Sequence, residues 1–338
     1  MVLPDFAVPL PHGGDLGAAR RLFPAAPEPF VDLSTGINPF PYPLPRLDPG
    51  VFARLPELAA LDRLAAIAAA AYGAPSAAQV VAAAGVQTLL PHVYALVPRG
   101  RATVLAPTYA EHARVAALAG HQVREAADMT DLAVADLAIL VNPNNPDGRR
   151  VARHDLLALA DALAPGLLVV DEAFADVAPA DAGLAPAVGR PNLVVLRSFG
   201  KFFGLAGVRL GFALAAPQVA ARLRVALGPW AVSGPALAIG AAALADSGWI
   251  ASMRDRLAAT AQRLDDLLVA AGLDVVGGTA LFRLVRASNA ADVFDQLGRA
   301  GIFVRRFAER PAWLRFGLPR DEAAWQRLAQ ALTVRRVP

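Results

Sequence analysis

The stretch SFGKFFGLAGVRLGF, residues 198–212, holds the only lysine of the chain, Lys201, among 32 basic residues. A lysine amine condenses with an aldehyde to a Schiff base; a guanidinium stays protonated and does not. A single lysine where arginine serves everywhere else is therefore a candidate nucleophile. Ser198 and Arg209 flank it in the same stretch. Other polar residues close short apolar runs: Gly85, Val86 and Gln87 end QVVAAAGVQ, Tyr109 follows ATVLAPT, Asn142 and Asn145 lie in NPNNPDG, and Asp171 ends LLVVD. An amine, an acid at a strand end and a set of phosphate donors are together what pyridoxal 5'-phosphate requires. The amine binds its aldehyde, the acid keeps its ring nitrogen protonated so that the ring accepts electrons, and a helix N-terminus with Ser and Arg holds its phosphate.

The elements that must position these residues alternate along the chain. Apolar runs at 79–85, 102–106, 136–142, 167–172, 192–198 and 209–214 read as strands, and 86–97, 109–119 and 153–163 have helical spacing and are rich in alanine. Alternation of this kind predicts a mostly parallel central sheet covered by helices on both faces. In such sheets ligands sit at the carboxyl ends of the strands, where the candidate residues fall. Beyond about residue 225 the pattern changes: helices over 235–245 and 249–271 precede short strands near 281–286 and 302–305 and a last helix from 321. Many of the 28 prolines lie in residues 1–50, which suits an extended arm. The expected division is an N-terminal arm over 1–35 packing with the small domain, a large domain over 36–230 and a small α/β domain over 231–338.

Composition narrows the function. The 338 residues are 56% hydrophobic and carry a formal net charge of +3 without a basic cluster, which argues against nucleic acid as a partner. No cysteine is present, which removes disulfides, thiolate metal sites and a cysteine nucleophile. The histidines (His12, His92, His112, His121, His154) lack metal-ligand spacing, so no metal is expected. No signal peptide or membrane span is legible, and the cytoplasm is the expected location.

With SFGKFFGLAGVRLGF, NPNNPDG and VVDEAF in this order, the chain resembles the fold-type I pyridoxal-phosphate enzymes of the class I/II aminotransferase group. Within it, HGGD near the start, DLSTGINPFPYP at 32–43, DEAF and GPWAVSGPAL at 228–237 resemble the threonine-phosphate decarboxylase branch of cobalamin biosynthesis, to which histidinol-phosphate aminotransferases are closely related. The resemblance implies Lys201 as Schiff-base lysine and proton shuttle, Asp171 as ring-nitrogen partner, Tyr109 as ring stacker and Asn145 as donor to the ring hydroxyl. Gly85, Val86, Gln87, Ser198 and Arg209 would hold the cofactor phosphate. Arg315 would grip a substrate carboxylate as a bidentate fork, Asn38 and Asn145 would line the substrate, and His12, Gly13 and Gly14 would meet a substrate phosphate. It also implies a phosphorylated amino acid as substrate, a homodimer, and decarboxylation of L-threonine O-3-phosphate, with transamination of histidinol phosphate or a similar amino acid as the alternative and a non-catalytic cofactor-binding regulator as the rival from another class.

Four positions depart from the wider group: Phe174 stands in place of a tyrosine, Gly200 in place of a hydroxyl residue, Leu55 in place of a tyrosine that reaches the neighbouring subunit, and Asp147 in place of a threonine. Glu172 reads as a helix cap or a solvated strand end. A direct test follows from the lone lysine: Lys201→Ala and Lys201→Arg are both expected to abolish the visible absorbance of the protein-bound cofactor imine, read by spectrophotometry after reconstitution with pyridoxal phosphate.

Overall fold

A computed structural model describes residues 12–179 and 182–333. In chain order, α1 (Leu16–Leu22) and β1 (Val31–Leu33) are followed by α2 (Gly50–Ala53), α3 (Leu58–Tyr72), β2 (Val80–Ala83), α4 (Val86–Tyr94), β3 (Arg101–Leu105), α5 (Glu111–Leu118) and β4 (Gln122–Ala126). Then come β5 (Leu137–Val141), α6 (Arg153–Leu163), β6 (Leu167–Asp171), β7 (Leu193–Ser198), α7 (Phe199–Phe202), β8 (Gly211–Ala215), α8 (Pro217–Leu227) and α9 (Gly234–Ala245). The chain continues through α10 (Ser247–Ala270), β9 (Asp274–Thr279), β10 (Phe282–Arg286), α11 (Ala290–Arg299), β11 (Ile302–Arg306), β12 (Trp313–Gly317) and α12 (Glu322–Thr333).

Two compact units result. The larger comprises residues 41–145 and 149–252. Its seven strands run in the order β2-β8-β7-β6-β5-β3-β4, and every neighbouring pair is parallel except those made by β8. β5, β6 and β8 are buried along their whole length, as continuous apolar runs covered on both faces must be. Helices α4, α5 and α8 pack one face through Leu89, Val93, Val115, Val219 and Leu223. On α3, Tyr72 meets Phe212 of β8, ring centroids 5.5 Å apart. Local sequence sets the helix ends: α3 stops at Gly73, left-handed at φ +77°, and the Ser233 side chain caps α9 by accepting from Ala236 N–H.

The smaller unit comprises residues 12–40, 146–148 and those from 253 on. Its five strands run β1-β11-β12-β10-β9, antiparallel except for the pairing of β1 with β11. The proline-rich N-terminal segment thus supplies a strand to this sheet. Phe23, just after α1, packs against Phe294 of α11 with centroids 5.6 Å apart.

Two expectations change. The boundary drawn at residue 230 lies instead inside α10, between Ser252 and Met253, because α9 packs on α3: a Cβ on Gly240 would sit 3.3 Å from Leu64 Cδ1. Residues 146–148 count with the smaller unit, where Gly148 lies so close to Gly278 that a Cβ would fall 2.0 Å from its carbonyl oxygen. Strands β4 and β9 were not legible, since both are exposed edges with no continuous apolar run.

Between β6 and β7 lies a buried charge cluster. Arg197 Nη1 donates to Glu172 Oε2 at 2.7 Å, Nη2 donates to Asp176 Oδ1, and the guanidinium carbon lies 4.5 Å from the centre of the Tyr72 ring. Glu172, expected at a cap or in solvent, is 1% exposed. Burial opposes the Arg197 charge, but Asp176 and Glu172 more than offset it and raise the guanidinium pKa; burial raises that of Glu172. Arg197→Met would strand two carboxylates and is expected to cost about 3–5 kcal/mol, read as a lowered urea midpoint, and adding E172Q and D176N should recover most of the loss.

Candidate active site

The predicted residues divide between the two units. All of the cofactor set lies in the larger one. Because β2, β3, β5, β6 and β7 point the same way, their carboxyl ends share one edge of the sheet, and the antiparallel β8 brings the residues that precede it to that edge. Gly85, Val86 and Gln87 therefore follow β2, Tyr109 follows β3, Asn142 and Asn145 follow β5, Asp171 ends β6, Ser198 ends β7, Lys201 lies in α7, and Arg209 precedes β8.

The phosphate residues approach one another closely. Gly85, at φ +90°, enters α4 and leaves room for Arg209: a Cβ there would fall 2.7 Å from Arg209 Nη2. Gly211, in register with Ser198, lets β8 lie against the first amide of α4, since a Cβ would fall 2.6 Å from Val86 N. Unpaired amides at a helix N-terminus beside an arginine suit a phosphate dianion. Arg209 itself is held left-handed at φ +55°. Glycine backbone, helix N-terminus, arginine, lysine and buried acid are a donor set that fits pyridoxal phosphate.

Asp171 is 4% exposed. Its Oδ1 accepts from Ala173 N–H at 2.8 Å, and its Oδ2 lies 3.1 Å from His112 Nε2. With Asp171 a carboxylate, Nε2 carries the proton; Nδ1 then accepts from the Tyr94 hydroxyl at 2.6 Å. Burial, with Asp171 adding to it, holds the Tyr94 phenol well above its ordinary pKa, so that proton stays in place. Sequence reasoning missed both residues. The available signal was a histidine three positions after Tyr109 in an otherwise helical, alanine-rich run, but its partner is 59 residues away.

Tyr109 meets the His112 ring edge to face at 5.6 Å, and its hydroxyl donates to Gln87 Oε1 at 3.4 Å. Gln87 Nε2 in turn donates to the buried Glu111 at 2.9 Å. Burial, reinforced by Glu111 and Asp171, pushes the Tyr109 phenol up to about 12, so it remains neutral across the working range. The clamp Thr108 Oγ1 to Asn144 Oδ1, 2.7 Å, ties the Tyr109 loop to the Asn145 turn. Lys201 Nζ lies 5.6 Å from the centre of the Phe174 ring. Gly200 has a packing reason: a Cβ would fall 2.7 Å from Ala206 Cα. Leu55 is 66% exposed.

The remaining residues lie in the smaller unit. Arg315 of β12 is buried, donates from Nη2 to Ser34 O at 2.9 Å, and has its guanidinium carbon 5.0 Å from the Phe282 ring centre. Directly across the antiparallel pair stands Arg305 of β11, so the two guanidinium side chains share a face. Burial, then Arg305, pulls Arg315 down to about 9, with Asp32 acting the other way; burial also lowers Arg305. Two like charges held together in this way attract an anion. Gly14 donates to Ser34 Oγ at 2.7 Å, and His12 is exposed. Asn38 is buried, and its Oδ1 accepts from Phe40 N–H at 2.8 Å in an Asx turn. Arg305 was not among the residues singled out by sequence, where it is one arginine among many.

Residues 43–332 match the model of the family described as aminotransferase class I and II. A threonine-phosphate decarboxylase from Pseudomonas aeruginosa is 44% identical over 328 residues, 96% of this chain and 97% of that protein. Another from Sinorhizobium sp is 44% identical over 332 residues, 96% and 98% of the two chains. The crystal structure of histidinol-phosphate aminotransferase from Sinorhizobium meliloti in complex with pyridoxal-5'-phosphate superposes with a TM-score of 0.80 at 25% identity, covering 96% of this chain and 94% of that one.

The contact between Gly211 and the first turn of α4 offers a test of the phosphate cradle. Gly211→Ala should push the Val86 amide aside and weaken pyridoxal phosphate binding about tenfold or more, on the scale of about 1–3 kcal/mol for an overpacked contact, measured by equilibrium titration of the apoprotein.

Proposed function

This chain belongs to the class I and II aminotransferase family, and from that premise we propose that it decarboxylates L-threonine O-3-phosphate to (R)-1-amino-2-propanol O-2-phosphate. The observation that carries the reading is 44% identity, end to end, with proteins named threonine-phosphate decarboxylase. Its cofactor is pyridoxal 5'-phosphate, and the reaction belongs to cobalamin biosynthesis.

Lys201 and Asp171 would hold the two ends of the cofactor, Tyr109 would stack on it, and Asn145 would donate to its hydroxyl. The Val86 and Gln87 amides at the mouth of α4, with Gly85, Ser198 and Arg209, would hold its phosphate. When bound, pyridoxal phosphate supplies an electron sink for the pair left at the substrate Cα when a bond there breaks. The protein's own work is orientation and proton transfer. His112, backed by Tyr94, donates to the Asp171 carboxylate and would hold it facing the ring nitrogen. Arg315 forks the substrate carboxylate, and the His12–Gly13–Gly14 segment, with Arg305, takes the phosphate. The carboxylate leaves as carbon dioxide, and Lys201 Nζ delivers one proton to Cα in its place.

Transamination is the second reading, favoured by the likeness to a histidinol-phosphate aminotransferase. Histidinol phosphate has no carboxylate on its Cα, so Arg315 has no such group to grip there. We also propose a homodimer in the cytoplasm. The exposed apolar side chains Phe52, Leu55 and Leu58, 69%, 66% and 71% accessible, support a partner surface on the larger unit.

The deciding assay incubates purified holoprotein with L-threonine O-3-phosphate and no 2-oxoglutarate. Stoichiometric carbon dioxide and amino-alcohol phosphate are expected. Amino transfer on adding 2-oxoglutarate, with no carbon dioxide at any stage, would sink the decarboxylase reading.

A further inference from the structure

Ser34, the residue after β1, is fully buried in the smaller unit, and both of its oxygens face residues assigned to the substrate. Its hydroxyl donates to Asp32 Oδ1 at 2.6 Å, and its own N–H donates to the same oxygen at 2.9 Å. With its proton spent there, Oγ accepts from Gly14 N–H at 2.7 Å. The carbonyl oxygen accepts from Arg315 Nη2 at 2.9 Å. Gly13 lies against that same carbonyl so closely that a Cβ would fall 2.2 Å from it, which only glycine permits. The end of β12 is packed in as well: a Cβ on Gly317 would fall 2.5 Å from Thr35 O.

One residue therefore joins the glycine turn to the buried arginine. We propose that Ser34 is a positioning residue that fixes the span between the substrate's phosphate and carboxylate, and so selects α-amino acids esterified on the β-carbon over longer homologues. This rests on the substrate reading above, in which the glycine turn takes phosphate and Arg315 takes carboxylate. Asp32 acts through Ser34: by holding the hydroxyl proton and the backbone N–H it aims Oγ at the turn.

The test measures, by rapid-mixing absorbance within the first turnover, the affinities of wild-type, S34A and D32A holoenzymes for O-phospho-L-threonine and O-phospho-L-homoserine, whose phosphate sits one carbon further out, and measures pyridoxal phosphate affinity alongside. Loss of one hydrogen bond should narrow the ratio of the two affinities about five- to tenfold in S34A, while cofactor affinity stays within about twofold of wild type. D32A should narrow it similarly, and the double variant no further than the larger single effect, because the two act through one contact. A ratio unmoved in S34A, or an equal loss of both ligands and cofactor, overturns the proposal; if S34A does not fold, D32A decides on the same criterion. Wild type that discriminates the two ligands but releases no carbon dioxide counts against the decarboxylase reading alone; wild type that binds neither overturns both.

Discussion

An acid buried at an apolar sheet end must have its oxygens met by donors, and much of the larger unit is arranged around that requirement. A carboxylate taken out of water is costly unless donors face it. Asp171 receives one from the backbone of Ala173 and one from His112, which is itself fixed by Tyr94. Those two side chains come from α5 and α4, the helices whose beginnings carry the rest of the cofactor set. Tyr109 leads into α5, Val86 and Gln87 open α4, and Gln87 is tied to Glu111 on the other helix. Support for the acid and placement of the ring and phosphate contacts are thus consequences of one helix pair packed on one face of the sheet.

Beside this runs a second buried electrostatic system, and magnitudes separate it from the ion pairs on the surface. Arg263 and Glu322 form a two-bond pair with side chains 51% and 61% exposed, an arrangement worth about 0–1 kcal/mol. Arg197, Glu172 and Asp176 are nearly inaccessible. Their net contribution compared with apolar residues is small, yet each depends on the others, because any one left alone is an uncompensated charge. The cluster binds the strand that ends in Asp171 to the strand that ends in Ser198, and keeps Phe174 between its two acids.

In the proposed function the smaller unit has a different task, the recognition of anions. Arg305 and Arg315 face each other across a strand pair, and burial lowers the pKa of both guanidinium groups. Fold and cofactor leave the reaction open: decarboxylation and transamination differ in which bond at Cα is held upright to the ring, and displacements of about 1 Å in the groups that hold the substrate decide it. In the proposed function, Arg305, Arg315 and the glycine turn therefore bear more directly on the reaction than Lys201 or Asp171 do.

The lone lysine, the acid closing VVD, the asparagine turn and the glycine before α4 could be read from the sequence because each is a local event: a polar residue where an apolar run ends. The mostly parallel sheet followed from the same alternation. His112, Tyr94, Arg197, Arg305 and Ser34 could not be read in this way. Each is defined by a partner on another segment of the fold, 10 residues away for Arg305 and Arg315, 59 for His112 and Asp171 and 281 for Ser34 and Arg315, and nothing near them in sequence marks that partner. The domain boundary failed for a related reason, since helical spacing in α9 does not say which sheet its helix serves. Short-range chemistry determined which residues can carry the cofactor; only long-range packing, which brings buried charges and hydrogen-bond donors from distant segments into contact, decided what holds those residues in place and which anions face them.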